Sequence, residues 1–463
     1  MNHLPGPSGV PLLGNVGIDT AHFHQKLEEW AREYGPIYRM RLMDRRFVVT
    51  SRHADIAQVL HDRPDQWRRS RRVASVLEEA AAVGVFAAEG EEWRRQRKLV
   101  MHALTPEVIN RFHPRLLAMT ERLRLRWQAA AQAGQPQRLL RDLKAFALDV
   151  AIGMAMGQDQ DMVRHEENPL QQDIEFVFAQ MARRLVAPVA WWRSIKLPAD
   201  RAAEAAGLRI RAAVDGFVAD ARDRMAANPA LHDKPDNLLE AMLAAADLPD
   251  SGISDETVRA NAIIMVFAGE DTTANTIAWM LFLLSRNPQA AARLAEEADA
   301  LGAPGQAPYL DACVQEAMRL KPVAPVLGAE AVRDVALDGV QIPAGTVIFM
   351  LLRHAFEREV SLPDGAEFRP ERWLDPAMKE KFDDPARKML PFGGGPRFCP
   401  GRYLAMSEIR TLMSMVARSF TIEALPGAPP VEEMFTFTMT PSALPVLLRP
   451  RQRESANSPT GLY

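Results

Sequence analysis

The chain has 463 residues, of which 48% are hydrophobic and 25% are charged, and its formal net charge is −3. This is a globular composition, which excludes a disordered or fibrous protein, and the charge gives no indication of nucleic-acid binding. No Gly/Ser linker, internal repeat or low-complexity stretch divides the chain, so we expect one large domain over residues 1–463. Only two cysteines are present, which argues against a disulfide framework and favours a cytoplasmic location.

The two ends of the chain differ from its body. Residues 1–15 form a Pro/Gly-rich lead-in, and residues 451–463 form a polar tail that we expect to be disordered. No apolar run near the start reaches the roughly 18 residues that a membrane span needs. No signal peptide is recognisable either. We therefore expect no transmembrane anchor.

Helical periodicity dominates the sequence, and strand signals are few and short. The amphipathic helical segments are 21–34, 106–133, 201–227 and 289–301. The strand segments are 37–42, 47–50, 335–342 and 347–352. These strands are too scattered for a doubly wound sheet. The pattern predicts a mainly α protein with small β-sheets.

The longest helical pattern runs from Asp255 to Arg286, with Ser254 in the position of an N-cap. It is apolar nearly all round, which predicts a buried helix about 48 Å long. Its middle, residues 268–273, reads Ala-Gly-Glu-Asp-Thr-Thr. Glycine and polar groups are costly inside a buried helix, and a threonine hydroxyl can bond the carbonyl of the preceding turn. The break therefore predicts a local opening that carries a hydroxyl and a carboxylate.

A single cysteine, Cys399, lies in the glycine-rich loop 391–402 just ahead of another helical pattern. The glycines at 393–395 allow a tight turn against a flat group, and the N–H groups of a helix N-terminus favour a thiolate. No second Cys or His lies within twenty residues to complete a zinc set. One thiolate as the sole protein ligand fits haem iron. The alternative is a buried free cysteine, the role that we expect for Cys313.

The Cys399 loop resembles the haem-binding loop FxxGxRxCxG of the cytochrome P-450 family. The matching residues are Phe392, Gly395, Arg397, Cys399 and Gly401. The break at 268–273 is similar to the family motif [AG]-G-x-[DE]-T-[TS] at all six places. Further segments match the family in the same order along the chain, from about residue 4 to residue 450. The resemblance implies the P-450 fold, in which a long central helix crosses the haem.

The resemblance also implies a haem b site. Cys399 would be the iron ligand, within a loop that includes Phe392 and Gly401. Trp93-Arg-Arg-Gln-Arg97 fits the family's WxxxR, so Trp93 and Arg97 would meet one haem propionate, and Arg397 would meet a propionate from the Cys399 loop. The alternative for this segment is a solvated basic helix. Relatives often place another propionate-binding Arg near Ala329, where this chain has Ala-Glu, and Arg333 is a candidate substitute.

Two further matches concern structure and catalysis. Glu316 and Arg319 match the ExxR motif and 368–373 resembles the PERF-type segment, so Arg372 would join them in a buried network that holds the Cys399 loop. In the central helix, Thr272 would support dioxygen activation and Asp271 proton delivery. The alternative is a solvent-facing polar patch.

The segments that line the substrate pocket in relatives are mostly apolar here, which suits a lipophilic substrate. They are 73–88, 176–192, 263–276, 323–327 and 435–439. We favour a fatty acid or lipid-like compound, with a terpenoid, steroid or polyketide as alternatives. Nearby arginines could pair with a fatty-acid carboxylate or form a solvated face. They are Arg69, Arg71, Arg72, Arg183 and Arg184.

No flavin or iron–sulfur region is recognisable, so we expect electrons from a ferredoxin or flavodoxin with its reductase, and NAD(P)H only as the indirect donor. A basic group on the Cys399 side would attract an acidic partner. It comprises Arg94, Arg95, Lys98 and Arg402. The main hypothesis is a dioxygen-dependent monooxygenase. The alternatives are a haem-thiolate peroxygenase, isomerase or dehydratase, and a non-catalytic haem sensor.

Overall fold

The computed structural model describes residues 3–80, 82–165, 168–187, 189–249, 251–301, 307–362, 364–384 and 387–451. The described chain is mainly helical with small β-sheets, as the sequence predicts. The helices are α1 (Phe23–Tyr34), α2 (His53–His61), α3 (Arg71–Glu79), α4 (Gly90–Ala103), α5 (Pro106–Gln132), α6 (Leu139–Met156), α7 (Pro169–Val186), α8 (Pro198–Ala227), α9 (Leu238–Ala246), α10 (Asp255–Ser285), α11 (Pro288–Leu301), α12 (Pro308–Leu320), α13 (Leu352–Val360), α14 (Pro376–Asp383) and α15 (Arg402–Ser419).

The described strands make one mixed five-stranded sheet and three two-stranded antiparallel pairs. They are β1 (Ile37–Leu42), β2 (Arg45–Thr50), β3 (Trp67–Arg68), β4 (Val326–Ala331), β5 (Val335–Leu337), β6 (Val340–Ile342), β7 (Val347–Leu351), β8 (Phe420–Ala424), β9 (Glu433–Phe435), β10 (Met439–Pro441) and β11 (Val446–Pro450). The larger sheet has the order β1-β2-β7-β4-β3, in which only β2 and β7 run parallel among the described strands. The predicted strand 335–342 is two strands, because Asp338 and Gly339 form a turn with positive φ.

The lead-in packs onto this sheet, since the N–H of Arg39 in β1 donates to the carbonyl of Pro5 at 2.9 Å. Of the tail predicted to be disordered, only Arg451 lies within the described residues, where it pairs with Asp299. The prediction for 452–463 lies outside them.

The central helix α10 is confirmed, with 31 residues and therefore a length of about 46 Å. The Ser254 hydroxyl accepts a hydrogen bond from the N–H of Thr257 at 3.1 Å, so the predicted N-cap is also confirmed. Helix α6 packs closely along α10 at Gly269, where an added Cβ would lie 2.4 Å from the Cβ of Ala151. The absence of a side chain at Gly269 thus allows α6 and α10 to pack closely.

Candidate active site

The loop that carries Cys399 folds back on itself ahead of α15. The N–H of Cys399 donates to the carbonyl of Phe392 at 2.9 Å. Burial raises the pKa of the Cys399 thiol, although the N–H of Gly401 and the guanidiniums of Arg97 and Arg402 act in the opposite direction. The N–H of Gly401, ahead of α15, thus acts toward the thiolate, as the sequence analysis expected, whereas burial acts against it. A cation bound at the sulfur would favour the thiolate further.

Two glycines of this loop have left-handed backbones, with φ of 69° at Gly393 and 62° at Gly395. A Cβ on Gly395 would lie 1.9 Å from the carbonyl oxygen of Leu60 in α2. Gly395 therefore lets the loop lie directly against the end of α2. The sequence analysis attributed these glycines to a flat bound group, whereas at Gly395 the close neighbour is protein backbone.

Helix α4 meets the loop through Arg97. Its Nη2 donates to the carbonyl of Phe398 at 2.6 Å, and its guanidinium lies 4.6 Å from the centre of the Phe398 ring. One turn earlier in α4, the guanidinium of Arg397 stacks on the ring of Trp93, 4.6 Å from the ring centre. The WxxxR spacing thus brings both of its residues to the loop, and their contact with a haem propionate stays a prediction.

A group of arginines surrounds the start of α4. Arg397 donates to the carbonyl of Ala88 at 2.6 Å and forms an ion pair with Glu89. The backbone N–H of Arg69 also donates to Glu89, and the Arg69 guanidinium stacks on Phe86 at 3.6 Å. Arg63 is buried, and two of its guanidinium nitrogens, like Nε of Arg397, have no hydrogen-bond partner among the described residues.

The electrostatics of this arginine cluster (Arg63, Arg69 and Arg397) are unbalanced. Burial lowers the pKa of Arg397 to about 10, although Glu89 acts to raise it. The pKa of Arg69 is lowered well below its usual range, first by burial and then by the charges of Arg63 and Arg397. Three guanidiniums thus face one carboxylate in a place shielded from water. The imbalance is costly unless an anionic group binds there.

This arrangement fits haem b, whose two propionate carboxylates supply the missing negative charge. Sequence reasoning missed Arg63 and treated Arg69 only as a substrate contact, because neither residue belongs to a recognisable motif. The structure does not support Arg333 as the substitute, since it is exposed and lies beyond the end of β4. Arg69 and Arg63 are the arginines that accompany Arg397.

The middle of α10 is open on one side. Ala268 is exposed and Thr272 is half-buried, although the turns on either side of them are buried. The hydroxyl of Thr272 donates to the carbonyl of Ala268 at 2.9 Å, and that of Thr276 donates to the carbonyl of Thr272 at 2.9 Å. The predicted bonding of threonine to the preceding turn is therefore confirmed. A small side chain and a hydroxyl share the open face.

The carboxylate of Asp271 lies on a different side of α10. It is buried, accepts a hydrogen bond from the hydroxyl of Thr438, and lies 3.4 Å from Nζ of Lys144 in α6. The prediction that a hydroxyl and a carboxylate share the opening is therefore wrong for the carboxylate. Helical geometry is the reason, because adjacent residues are turned about 100° from each other.

The network of the ExxR motif is confirmed. Arg319 donates to both oxygens of Glu316 at 2.8 and 2.9 Å, and Nε of Arg372 donates to the same carboxylate at 2.9 Å. Arg319 also donates to the carbonyls of Gly365 and Glu367. These bonds fix the segment 365–373, and within the described residues none of them reaches the Cys399 loop.

Four of the predicted pocket segments meet in a cluster of aromatic rings. Phe178 lies 4.9 Å from Phe267 and 5.6 Å from Phe437, and Phe437 lies 6.2 Å from Phe86. The rings come from α7, α10, the turn between β9 and β10, and the segment before α4. Such a cluster provides an apolar surface for a lipophilic molecule.

Most of the arginines beside these segments are already paired. Arg72 donates to the carbonyls of Arg184 and Ala187, and both Arg183 and Arg184 bond to Asp200. These contacts tie α3, α7 and α8 together. Arg72, Arg183 and Arg184 are therefore engaged in contacts between helices. They form neither a solvated face nor a binding site for a substrate carboxylate.

The basic group on the outer side of the loop is smaller than the sequence analysis expected. Arg94 is paired with Glu91 and Asp65, and Arg402 stacks on Phe398 at 4.8 Å. Arg95 and Lys98 are exposed on α4, whose other face carries Arg97 to the loop. Arg94 is exposed as well but ion-paired, so Arg95 and Lys98 are the exposed members of the basic group without an ion pair among the described residues.

Neither a membrane span nor a multi-ligand metal site is present among the described residues. No described helix combines the length and apolarity that crossing a membrane requires. Within the same residues, no group of three or more His, Cys, Asp or Glu side chains could hold a metal ion. Both cysteines are free, and Cys313 is buried as expected.

Comparison with known proteins gives consistent results. The family model described as cytochrome P-450 matches residues 4–448. Cytochrome P-450 4d2 of Drosophila melanogaster is 26% identical, over 97% of this chain and 94% of its own. The self-sufficient cytochrome P-450 monooxygenase CYP505E5 of Aspergillus niger is 26% identical, over 94% of this chain and 42% of its own.

A solved structure gives the same result for the fold. The crystal structure of a cytochrome P-450, CYP102L1, superposes with a TM-score of 0.82 at 27% identity and covers 97% of this chain and 99% of that one. Enzymes of this family use haem b and dioxygen, and NAD(P)H electrons reach them through a redox partner. The chain belongs to the cytochrome P-450 family and is a haem-thiolate monooxygenase, an oxidoreductase that incorporates oxygen from O2.

Proposed function

We propose that this enzyme inserts one oxygen atom into a lipophilic substrate, with a fatty acid or lipid-like compound favoured. The aromatic cluster of Phe86, Phe178, Phe267 and Phe437 is the observation that supports this proposal most directly. Its rings would pack against an alkyl chain. Removing apolar surface from water, which contributes about 25 cal/mol per Å², would supply the affinity. We also take residues 1–463 to form a single haem domain in the cytoplasm.

The cofactor site in this proposal combines one sulfur ligand with several cations. Cys399 would bind the iron as a thiolate, and Phe392 and Gly401 would shape the loop around it. Arg397, Arg69 and Arg63 would neutralise the propionates. Arg97 and Trp93 hold the loop against α4 and complete this side of the site.

When bound, haem supplies the reduction of dioxygen and the transfer of one oxygen atom to the substrate. The chain's own groups control protons and water around that reaction. Thr272 presents its hydroxyl on the open face of α10, where Ala268 leaves room for a small molecule. Asp271, one residue earlier, holds a proton-accepting carboxylate behind that face. We assign Thr272 to proton placement and Asp271 to proton supply.

We propose that the electrons come from a separate acidic partner, a ferredoxin or a flavodoxin. Arg95 and Lys98 are exposed on α4, and Arg97 links the same helix to the Cys399 loop. Reversing the charge at Arg95 or Lys98 should slow reduction by such a partner and flatten its dependence on salt. Turnover driven by peroxide should be spared. Equal loss by both routes would place the defect in the haem site and reject docking on α4.

Oxygen incorporation from isotopically labelled dioxygen tests the proposed reaction. The holoenzyme is supplied with NADPH and a surrogate ferredoxin system, and a panel of fatty acids, terpenoids and steroids is ranked by the shift of the Soret band. The proposal expects labelled product from a lipid-like compound that also shifts the band. Product that forms only with peroxide, or rearranged product without label, would favour a peroxygenase or an isomerase.

A further inference from the structure

The turn between β9 and β10, residues 436–438, contacts both the aromatic cluster and the central helix. Phe437 contributes its ring to the cluster, 5.6 Å from the ring of Phe178. The next residue, Thr438, is buried, and its hydroxyl donates to Oδ2 of Asp271 in α10. Adjacent residues of one short turn thus line the candidate substrate pocket and contact the acid to which proton supply is assigned.

The direction of the hydrogen bond between Thr438 and Asp271 follows from the amide of Asn275. Asn275 lies one turn after Asp271 in α10 and is fully buried. Its Nδ2 donates to the hydroxyl oxygen of Thr438 at 3.0 Å, and its Oδ1 accepts from the hydroxyl of Thr440 at 2.9 Å. Because an N–H is already directed at its oxygen, the Thr438 hydroxyl has its single proton left for Asp271. Such a donor stabilises an ionised carboxylate.

The two oxygens of Asp271 are held by different parts of the fold. Oδ1 lies 3.4 Å from Nζ of Lys144 in α6, and the same ammonium lies 3.9 Å from a second carboxylate, that of Glu175. An ammonium on a long, flexible side chain acts as a point charge, so it attracts the carboxylate without fixing its orientation. The hydroxyl of Thr438 sits on a short, buried side chain. It is therefore the contact that orients Asp271.

The backbone that carries Thr438 is itself anchored at the next residue. The N–H of Met439 donates to the carbonyl of Val323 at 2.8 Å. Nε1 of Trp279 in α10 donates to the carbonyl of Met439 at 3.0 Å. Held from these two sides, the turn presents the Thr438 hydroxyl to α10 at a fixed place. A proton-supplying group needs such a fixed place, because a small displacement from the productive geometry is costly for the rate.

We propose that Thr438 is a positioning residue for Asp271, through which the substrate-lining turn completes the proton supply. The inference rests on the function proposed above for Asp271. When Asp271 has given up its proton, the Thr438 hydroxyl holds the resulting carboxylate in place, and Thr438 itself gives up no proton. Because Phe437 is the adjacent residue, one short turn serves both substrate contact and proton supply.

Infrared spectroscopy of the resting holoenzyme tests the contact without turnover. The component that Asp271→Asn removes identifies the stretching band of the Asp271 carboxyl. Thr438→Val keeps the shape of the side chain but removes the hydroxyl, so this band should shift. Thr438→Ala also lacks the hydroxyl and should give the same shift, whereas Thr438→Ser should return the band to the parent position.

The matched control is Thr440→Val. It removes the other hydroxyl that bonds to the Asn275 amide and makes no contact with Asp271. Thr438→Val and Thr440→Val each leave one end of this amide without its partner, so a general loosening of the turn would appear in both. The Asp271 band should stay in place in Thr440→Val. A band that neither Thr438→Val nor Thr438→Ala shifts overturns the proposal, and so does an equal shift in Thr440→Val.

The solvent isotope effect on product formation tests the role in proton supply. It should rise in Thr438→Val and stay at the parent value in Thr438→Ser and Thr440→Val, while the substrate concentration that half-shifts the Soret band stays the same in all three. Weaker substrate binding by Thr438→Val with a parent isotope effect would mean that Thr438 only shapes the pocket, and overturns the proposal. In Asp271→Asn, a parent isotope effect rejects the function proposed for Asp271. A raised isotope effect there with a parent value in Thr438→Val rejects only the new inference.

Discussion

The two sides of the candidate site have opposite charge imbalances. On the Cys399 side, the guanidiniums of Arg63, Arg69 and Arg397 face the single carboxylate of Glu89. Behind the middle of α10, Glu270 and the carboxylates beside it face the single ammonium of Lys144. The guanidinium of Arg397 and the carboxyl of Glu270 are both shielded from water, where an excess of one charge is costly.

The two imbalances are relieved in different ways. A guanidinium is hard to deprotonate, so an excess of arginines requires an anion, and the haem propionates are the anions that this family provides. A carboxyl gains a proton readily, so an excess of acids is relieved by holding protons. The difference suggests that one side of the site is built to bind a group and the other to supply protons.

The largest effect is expected from removing the sulfur at the centre of the cationic side. Cys399→His should abolish the red-shifted Soret band of the reduced carbon-monoxide complex, because that band requires a thiolate as the protein ligand of the iron. Some haem should remain, since the arginines are intact. The control is Cys313→Ala, which alters the only other cysteine and should keep the band. A retained band in Cys399→His would reject Cys399 as the ligand.

The next effect tests the arginine excess itself. Arg397→Ala or Arg69→Ala should lower haem occupancy after purification, because a lost charged hydrogen bond costs about 1.5–3 kcal/mol. Arg333→Ala removes an exposed arginine of the same charge and should leave occupancy unchanged. Haem occupancy is measured by the ratio of the Soret to the protein absorbance. Equal occupancy in all three variants would mean that the cluster does not hold propionates.

The arginine cluster also shows where prediction from sequence ends. Cys399, Arg97 and Arg397 were predicted because motif spacing places them on one loop and one helix face. Arg63 comes from the segment after α2, and only the tertiary fold brings it to Glu89. No local pattern in the sequence records such a contact between distant segments.

The fold was predicted best where one period dominates. The ends predicted for α10 from its apolar run, and for β1 from its alternation, lie within one residue of those observed. The motif at 268–273 was predicted as one functional unit, yet its side chains point to different neighbours. Asp271 turns toward Lys144 and Thr438, whereas Thr272 faces the opening. Composition predicted the polar break, but helical rotation and the position of α6 determine what each residue contacts.

A smaller effect is expected on the open face of α10. Thr272→Ala should keep the Soret spectrum and much of the NADPH consumption, while product per NADPH falls and hydrogen peroxide rises. The reason is that the hydroxyl places the proton that commits dioxygen to product. Thr276→Ala is the matched control, since Thr276 makes the same bond to the preceding turn but is buried. Full coupling in Thr272→Ala on a good substrate would remove Thr272 from the mechanism.

The smallest effect concerns the pH dependence of stability on the acidic side. Glu270 has a folded-state pKa well above its unfolded value, so the folded protein keeps a proton that the unfolded chain releases. The parent protein should therefore lose stability as the pH rises from about 4.3 toward the folded pKa of Glu270, by at most about 1.4 kcal/mol per pH unit. Glu270→Gln removes the carboxyl that binds this proton. The stability of the variant relative to the parent should therefore grow with pH. Glu29→Gln, at an exposed position on α1, should run parallel to the parent in the same thermal melts. A constant difference between Glu270→Gln and the parent across this range would mean that Glu270 is ionised when folded, and the contrast between a binding side and a proton-holding side would then fail.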